Sequence, residues 1–168
     1  MILSFPLSGL HKVLFLSHSE PTDRVRKTSH IQVDKKKLDE LLNQINQAVP
    51  NEETSTLKKG STSFKYLKIK GLINTANRVF GFNGWSTTVD WVKLEHKAKE
   101  GEKWNVIYTA QVRVTLTEYD VHRTNVGSGT GNMGNLGDCI DTAIKASVTD
   151  AMKRAFKDIG PRFGLSLY

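Results

Sequence analysis

Lys145, Lys153, Arg154 and Lys157 recur within one segment, Asp141 to Gly160, at spacings that set them along one side of a helix. Ammonium and guanidinium groups in a row neutralise phosphate and release its counterions, so the chemistry they point to is the binding of a polyanion. On the opposite side Ile140, Ile144, Val148, Ala151, Ala155 and Ile159 form an apolar stripe. The expectation is a helix held to a core by one face and charged on the other.

Other chemistries find less support. The five histidines His11, His18, His30, His96 and His122 are scattered without ligand spacing, and no paired acidic motif suggests a two-metal nuclease. Asp138, Asp141 and Asp150 read as residues that cap or solvate the basic helix, two of them near its positive end. Cys139 is the only cysteine, which excludes an internal disulfide and reads as a small buried residue. Gly129-Thr-Gly-Asn-Met-Gly134 satisfies G-x-G-x-x-G, the spacing of a dinucleotide-binding turn, but no parallel βαβ unit precedes it. Its glycines are expected to make a flexible turn. No cofactor, metal or catalytic residue is expected.

The elements that must position the cations follow from periodicity. In 168 residues, 38% hydrophobic content suits one soluble domain, and Lys+Arg 24 against Asp+Glu 17 leaves a net charge of +7 that favours a polyanionic partner, nucleic acid first and an anionic membrane surface second. Residues 1–32 are apolar, then Ser-rich and basic, interrupted by Pro6, His11 and Lys12 well short of the roughly 20 residues a membrane span needs. They read as a flexible tail or a transit segment, ahead of one domain over 33–168. Asp34 caps a first helix through Leu38, Leu41, Leu42, Ile45 and Val49, stopped by Pro50. Residues 51–63 read as a mobile polar loop. A second helix is expected from Tyr66 to Phe80, decorated by Lys65, Lys68, Lys70 and Arg78 and ended by Gly81.

From Trp85 the period becomes two. Val106, Tyr108, Ala110, Val112, Val114 and Leu116 alternate with polar neighbours along one half-buried strand. An earlier strand over Trp85 to Leu94, a charged turn over His96 to Lys103, and a later strand over Val121 to Ser128 complete an antiparallel meander. A Gly-rich loop and the long basic helix follow. The fold class is α+β, a three-stranded antiparallel meander packed with helices.

Three segments together resemble the DNA-binding annealing domain of the Rad52 family of recombination mediators. They are Leu72-Ile-Asn-Thr-Ala-Asn-Arg-Val-Phe-Gly-Phe-Asn-Gly-Trp85, then Ala110-Gln-Val-Arg-Val-Thr-Leu116 followed by Val126-Gly-Ser-Gly129, and Ala146 to Gly160 with Phe163-Gly-Leu-Ser-Leu-Tyr168 closing the chain. The resemblance implies a protein that binds single-stranded DNA, anneals complementary strands in double-strand break repair, and assembles into a closed ring. It assigns the inner DNA groove to Lys153 and Arg154, with Lys157 where an arginine is usual. The groove arginine of the second helix aligns with Gly71, leaving Lys70 as the nearest substitute beside Lys68, and the glycine loop lacks the lysines of an outer site.

The implied partners are single-stranded DNA, further copies of the chain, and a recombinase or single-strand-binding protein; no membrane partner is implied. The implied compartment is the nucleus, with the mitochondrion as the alternative. A module that protects single strands without annealing is the competing reading, and a nucleotide-binding enzyme using the glycine loop a remote one. Trp85, Trp91 and Trp104 around one meander are expected to serve subunit contacts.

Overall fold

A computed structural model of the chain describes residues 34–167, and the expected tail or transit segment over 1–32 lies outside the described residues. The element order is α1 (Lys35–Ile45), β1 (Thr54–Lys59), β2 (Thr62–Leu67), α2 (Ile69–Phe80), β3 (Trp85–Glu100), β4 (Lys103–Leu116), β5 (Val121–Met133) and α3 (Leu136–Lys157), followed by short 3-10 turns at Pro161–Phe163 and Leu165–Leu167. β3, β4 and β5 form an antiparallel sheet in that order, and β1 pairs with β2 as a separate hairpin. The α+β reading with its meander therefore holds, with the small hairpin added.

Side-chain alternation builds the sheet. Val106, Ala110, Val112, Val114 and Leu116 of β4 are buried beneath α3, while the intervening positions face the other way. β3 and β4 run past the expected charged turn, so that His96 to Glu100 and Lys103 onward pair to the hairpin tip at Gly101. Long charged side chains can line both exposed faces of a projecting ribbon, which is why a charged stretch here is strand and not turn.

The Gly-rich loop is a strand. β5 continues to Met133, and Gly127, Gly129 and Gly131 alternate onto its inner face opposite Ala110, Tyr108 and Val106. A Cβ on any of the three would overlap the α3 backbone at Ala151, Ala143 or Cys139 respectively. The glycines are thus used for close approach, and the expectation of a flexible turn is corrected. The buried face of α3 is correspondingly small: Cys139, Ala143, Ser147, Ala151 and Ala155, with Phe156 beside them. The expected stripe through Ile140, Ile144 and Val148 is rotated by one residue, because a helix seated on glycines presents its smallest residues to the sheet and leaves the bulky ones at the flank. Helix α3 also begins at Leu136 rather than Asp141, capped by the Asn135 side chain accepting from Asp138 N at 3.1 Å.

The main core joins Leu41 and Ile45 of α1, Leu72, Ala76 and Phe80 of α2, Val114 and Leu116 of β4, and Phe156 and Phe163. Phe156 sits between two aromatic partners, Phe163 at 5.5 Å and Trp85 at 5.2 Å in an edge-on arrangement. Trp85 also donates its indole N–H to Asn77 Oδ1 at 2.9 Å. Half-buried, it takes part in the protomer's own packing; Trp91 alone of the three tryptophans is exposed.

Candidate nucleic-acid interface

The mobile loop expected over 51–63 is the root and body of the β1–β2 hairpin. Gly60 turns it at φ 62, a conformation that favours glycine, and Thr54, Thr56 and Thr62 supply the β-branched residues that suit strands. Ser and Thr density reads as loop when no apolar alternation accompanies it, and here the one apolar pair, Leu57 opposite Phe64, is too short a signal. The hairpin displaces the start of α2 to Ile69 and puts Lys65 and Tyr66 on a strand.

That strand faces the basic side of α3. Lys65, Tyr66, Asp150, Lys153, Arg154 and Lys157 surround a cavity of about 250 Å³, with Leu72 and Phe163 contributing apolar wall. The Lys153 ammonium stands over the Tyr66 ring, 5.1 Å from its centroid, a cation–π contact across the cleft. Burial lowers the pKa of Lys153 below the ordinary lysine value, with the Asp150 carboxylate pulling the other way. Arg154 donates through Nε to Asp150 Oδ2 at 2.8 Å, and the same oxygen accepts Ser128 N of the β5 edge at 3.2 Å. Asp150 therefore holds Arg154 by its inner nitrogen and leaves the outer guanidinium edge directed away from that pair.

Of the six residues singled out from sequence, three, Lys153, Arg154 and Lys157, meet at this cavity. Lys145 does not line it; it lies eight residues back on α3, roughly 12 Å along the axis, in an i,i+4 pair with Asp141 at 2.7 Å. Lys68 and Lys70 are exposed at the start of α2 and also do not line it. Lys65 and Tyr66 were missed as site residues because they read as the start of the second helix, and on an exposed strand neither carries a burial alternation that would have moved them.

A second cavity of about 350 Å³ adjoins the first along the hairpin, lined by Leu57, Ser63, Phe64, Lys65, Tyr66 and Leu167. Leu57 and Phe64 are exposed there. A cleft with cations on one wall and exposed apolar and aromatic side chains on the other is suited to a flexible polyanion that carries flat apolar groups, as a nucleic-acid strand does. Among the described residues no group of three or more His, Cys, Asp and Glu could hold a metal ion, and none of their helices is long and apolar enough to cross a membrane. The glycines of the G-x-G-x-x-G spacing are not arranged around an open phosphate site, since α3 occupies the space beside Gly129 and Gly131.

Comparison with known proteins agrees with this chemistry. Residues 37–168 match the family model described as Rad52/22 family double-strand break repair protein. Similar proteins include the DNA repair and recombination protein RAD52 of Saccharomyces cerevisiae, 37% identical over 110 residues that make up 65% of this chain and 23% of that one. The DNA repair and recombination protein rti1 of Schizosaccharomyces pombe is 34% identical over 116 residues, 65% of this chain and 30% of its own length. The chain thus spans about a quarter of the length of the curated relatives it matches.

Proposed function

Because this chain belongs to the Rad52/22 family of double-strand break repair proteins, we propose that it binds single-stranded DNA in the cleft between the β1–β2 hairpin and α3 and anneals complementary strands. One observation carries the reading: Lys153, Arg154 and Lys157, distant from the hairpin in sequence, meet Lys65 and Tyr66 around a single cavity. The cations hold the phosphate backbone without reference to sequence. Base edges left outward then sample register on a second strand, and pairing supplies both the energy and the specificity. Such a reaction asks the protein for geometry and charge, with no bond made or broken on it and no nucleotide consumed.

Annealing gains from many linked grips on one strand, because each bound stretch raises the local concentration of the next. We infer that copies of the chain supply them by assembling, head to tail, into a closed ring. The support is the exposed apolar row Val89, Val92 and Leu94 on one face of β3, an edge strand whose outer backbone has no sheet partner among the described residues. The nucleus is the compartment the family suggests, and a recombinase or a single-strand-binding protein the partner to be sought. The test is fluorescence-monitored annealing of complementary oligonucleotides in chelator without triphosphate, with imaging of the particles. Binding without acceleration of annealing would reduce the protein to a protective single-strand binder.

A further inference from the structure

The β1–β2 hairpin is two strands long and packs few residues of its own: of its described side chains only Leu67 is buried. Two strands alone are marginal in water, so something else must hold this one against α3. The candidate is the 3-10 turn Asn51–Glu53 at its root. Glu53 gathers three donors there. Its Oε2 accepts from Thr75 Oγ1 of α2 at 3.0 Å, and its Oε1 accepts from Arg78 Nη2 at 2.9 Å and Arg162 Nη2 at 3.2 Å. Arg162 is buried, and its Nη1 donates to Ala48 O at 3.1 Å, which ties the segment before the turn into the same knot.

The knot reaches the C-terminal part of β2 by two contacts. Glu53 O accepts from Lys68 N at 3.2 Å, just past the strand's end. Two residues before Glu53, Asn51 Oδ1 accepts from Lys65 Nζ at 3.3 Å. A neutral amide oxygen aims an ammonium without cancelling its charge, so Lys65 is held in the cleft with its cation still available to a phosphate. Neither Glu53 nor Asn51 lines the cavity.

We propose that Glu53 is a positioning residue for single-strand binding: by clamping the hairpin root to Thr75, Arg78 and Arg162 it holds Lys65 and Tyr66 opposite Lys153. The inference rests on the cleft being the DNA site. It makes a prediction opposite in sign to simple electrostatics. Removing a carboxylate from the neighbourhood of a polyanion site tightens binding on charge alone; loss of a clamp weakens it.

The experiment is fluorescence anisotropy of a labelled poly-dT oligonucleotide with the full chain over a salt series, for Glu53→Gln, Lys65→Ala, the double variant and Lys153→Ala. Glu53→Gln is expected to weaken binding about fivefold to tenfold and to flatten the salt slope by about one unit, as Lys65→Ala does. In the double variant the two losses overlap instead of multiplying, since both remove the same grip. Binding by Glu53→Gln that is unchanged or tighter, or losses that multiply in the double variant, would overturn the clamp. Should Lys153→Ala and Lys65→Ala also bind as wild type, the site itself falls, and the clamp with it. If Glu53→Gln does not fold, Thr75→Val decides: it withdraws one donor from Glu53 at a buried position that cannot touch DNA. A loss of about twofold to threefold that overlaps with that of Lys65→Ala supports the clamp, and unchanged affinity rejects it.

Discussion

Lys153 is the side chain on which the cleft turns, because it faces an aromatic ring, a carboxylate and the open cavity at once. Replacing Lys153 and Arg154 together by alanine should weaken binding to all single-stranded sequences alike and flatten the salt slope by roughly one to two units, read by anisotropy in increasing salt. The depressed pKa of Lys153 adds a pH dependence with a definite sign. In the free protein this amine gives up its proton at lower pH than an ordinary lysine, and phosphate binds only the charged form. Affinity should therefore begin to fall on the alkaline side before ordinary lysines titrate, and Lys153→Arg should remove the early decline. The same shift makes the folded protein gain stability as pH rises from the folded pKa toward the unfolded one, where the unfolded chain holds more protons. The cations of α3 were legible from sequence because helical spacing fixes which residues share a side. Their brace was not: Asp150 read as a solvated acid, and only the approach of the β5 edge shows its carboxylate shared between Ser128 N and Arg154.

At the scale of elements, α3 and β5 make the joint that carries the basic ridge. Gly129→Ala would drive a methyl group into the Ala143 carbonyl oxygen and the Ser147 nitrogen, both backbone atoms that cannot step aside. The expected cost is about 3 kcal/mol or more in denaturant unfolding, at the upper end of overpacking, whereas Gly134→Ala, with only a distant neighbour, should change little. The far end of α3 is fastened differently, by Arg123 Nε donating to Asp158 O at 3.3 Å and Asn125 donating to the Asp158 carboxylate at 2.8 Å, which sets a cation near the helix's negative end. The meander and the three helices could be read from periods of two and 3.6, since burial on one side imposes them. The hairpin could not, because Ser, Thr and Lys on an exposed ribbon carry no burial pattern to read. The glycines misled for a related reason: sequence does not distinguish a glycine that frees a turn from one that admits a helix.

For the whole molecule, the exposed row on β3 is the surface at which the proposed assembly can be tested. Leu94 is 43% exposed with Val92 and Val89 on the same sheet face, where α3 leaves β3 uncovered. Leu94→Glu should leave the melting temperature within a few degrees of wild type, as surface changes do, while light scattering shows smaller particles and annealing slows more than single-strand binding weakens. A variant that dissociates yet anneals at the full rate would separate assembly from activity. Phe82, 88% exposed at the tip of the α2–β3 turn, is a second position at which a charge can be tested against assembly.

The glycine seam between β5 and α3 also has a mechanical consequence. A helix usually rides on a cushion of side chains whose rotamers absorb small displacements of the sheet beneath it. Here backbone meets backbone at Gly127, Gly129 and Gly131, and Ala151 and Ala143 opposite the first two have no rotamers to adjust. Strand and helix therefore move as one rigid girder, and any bending of the sheet is handed undamped to the spacing of Lys153, Arg154 and Lys157 along it.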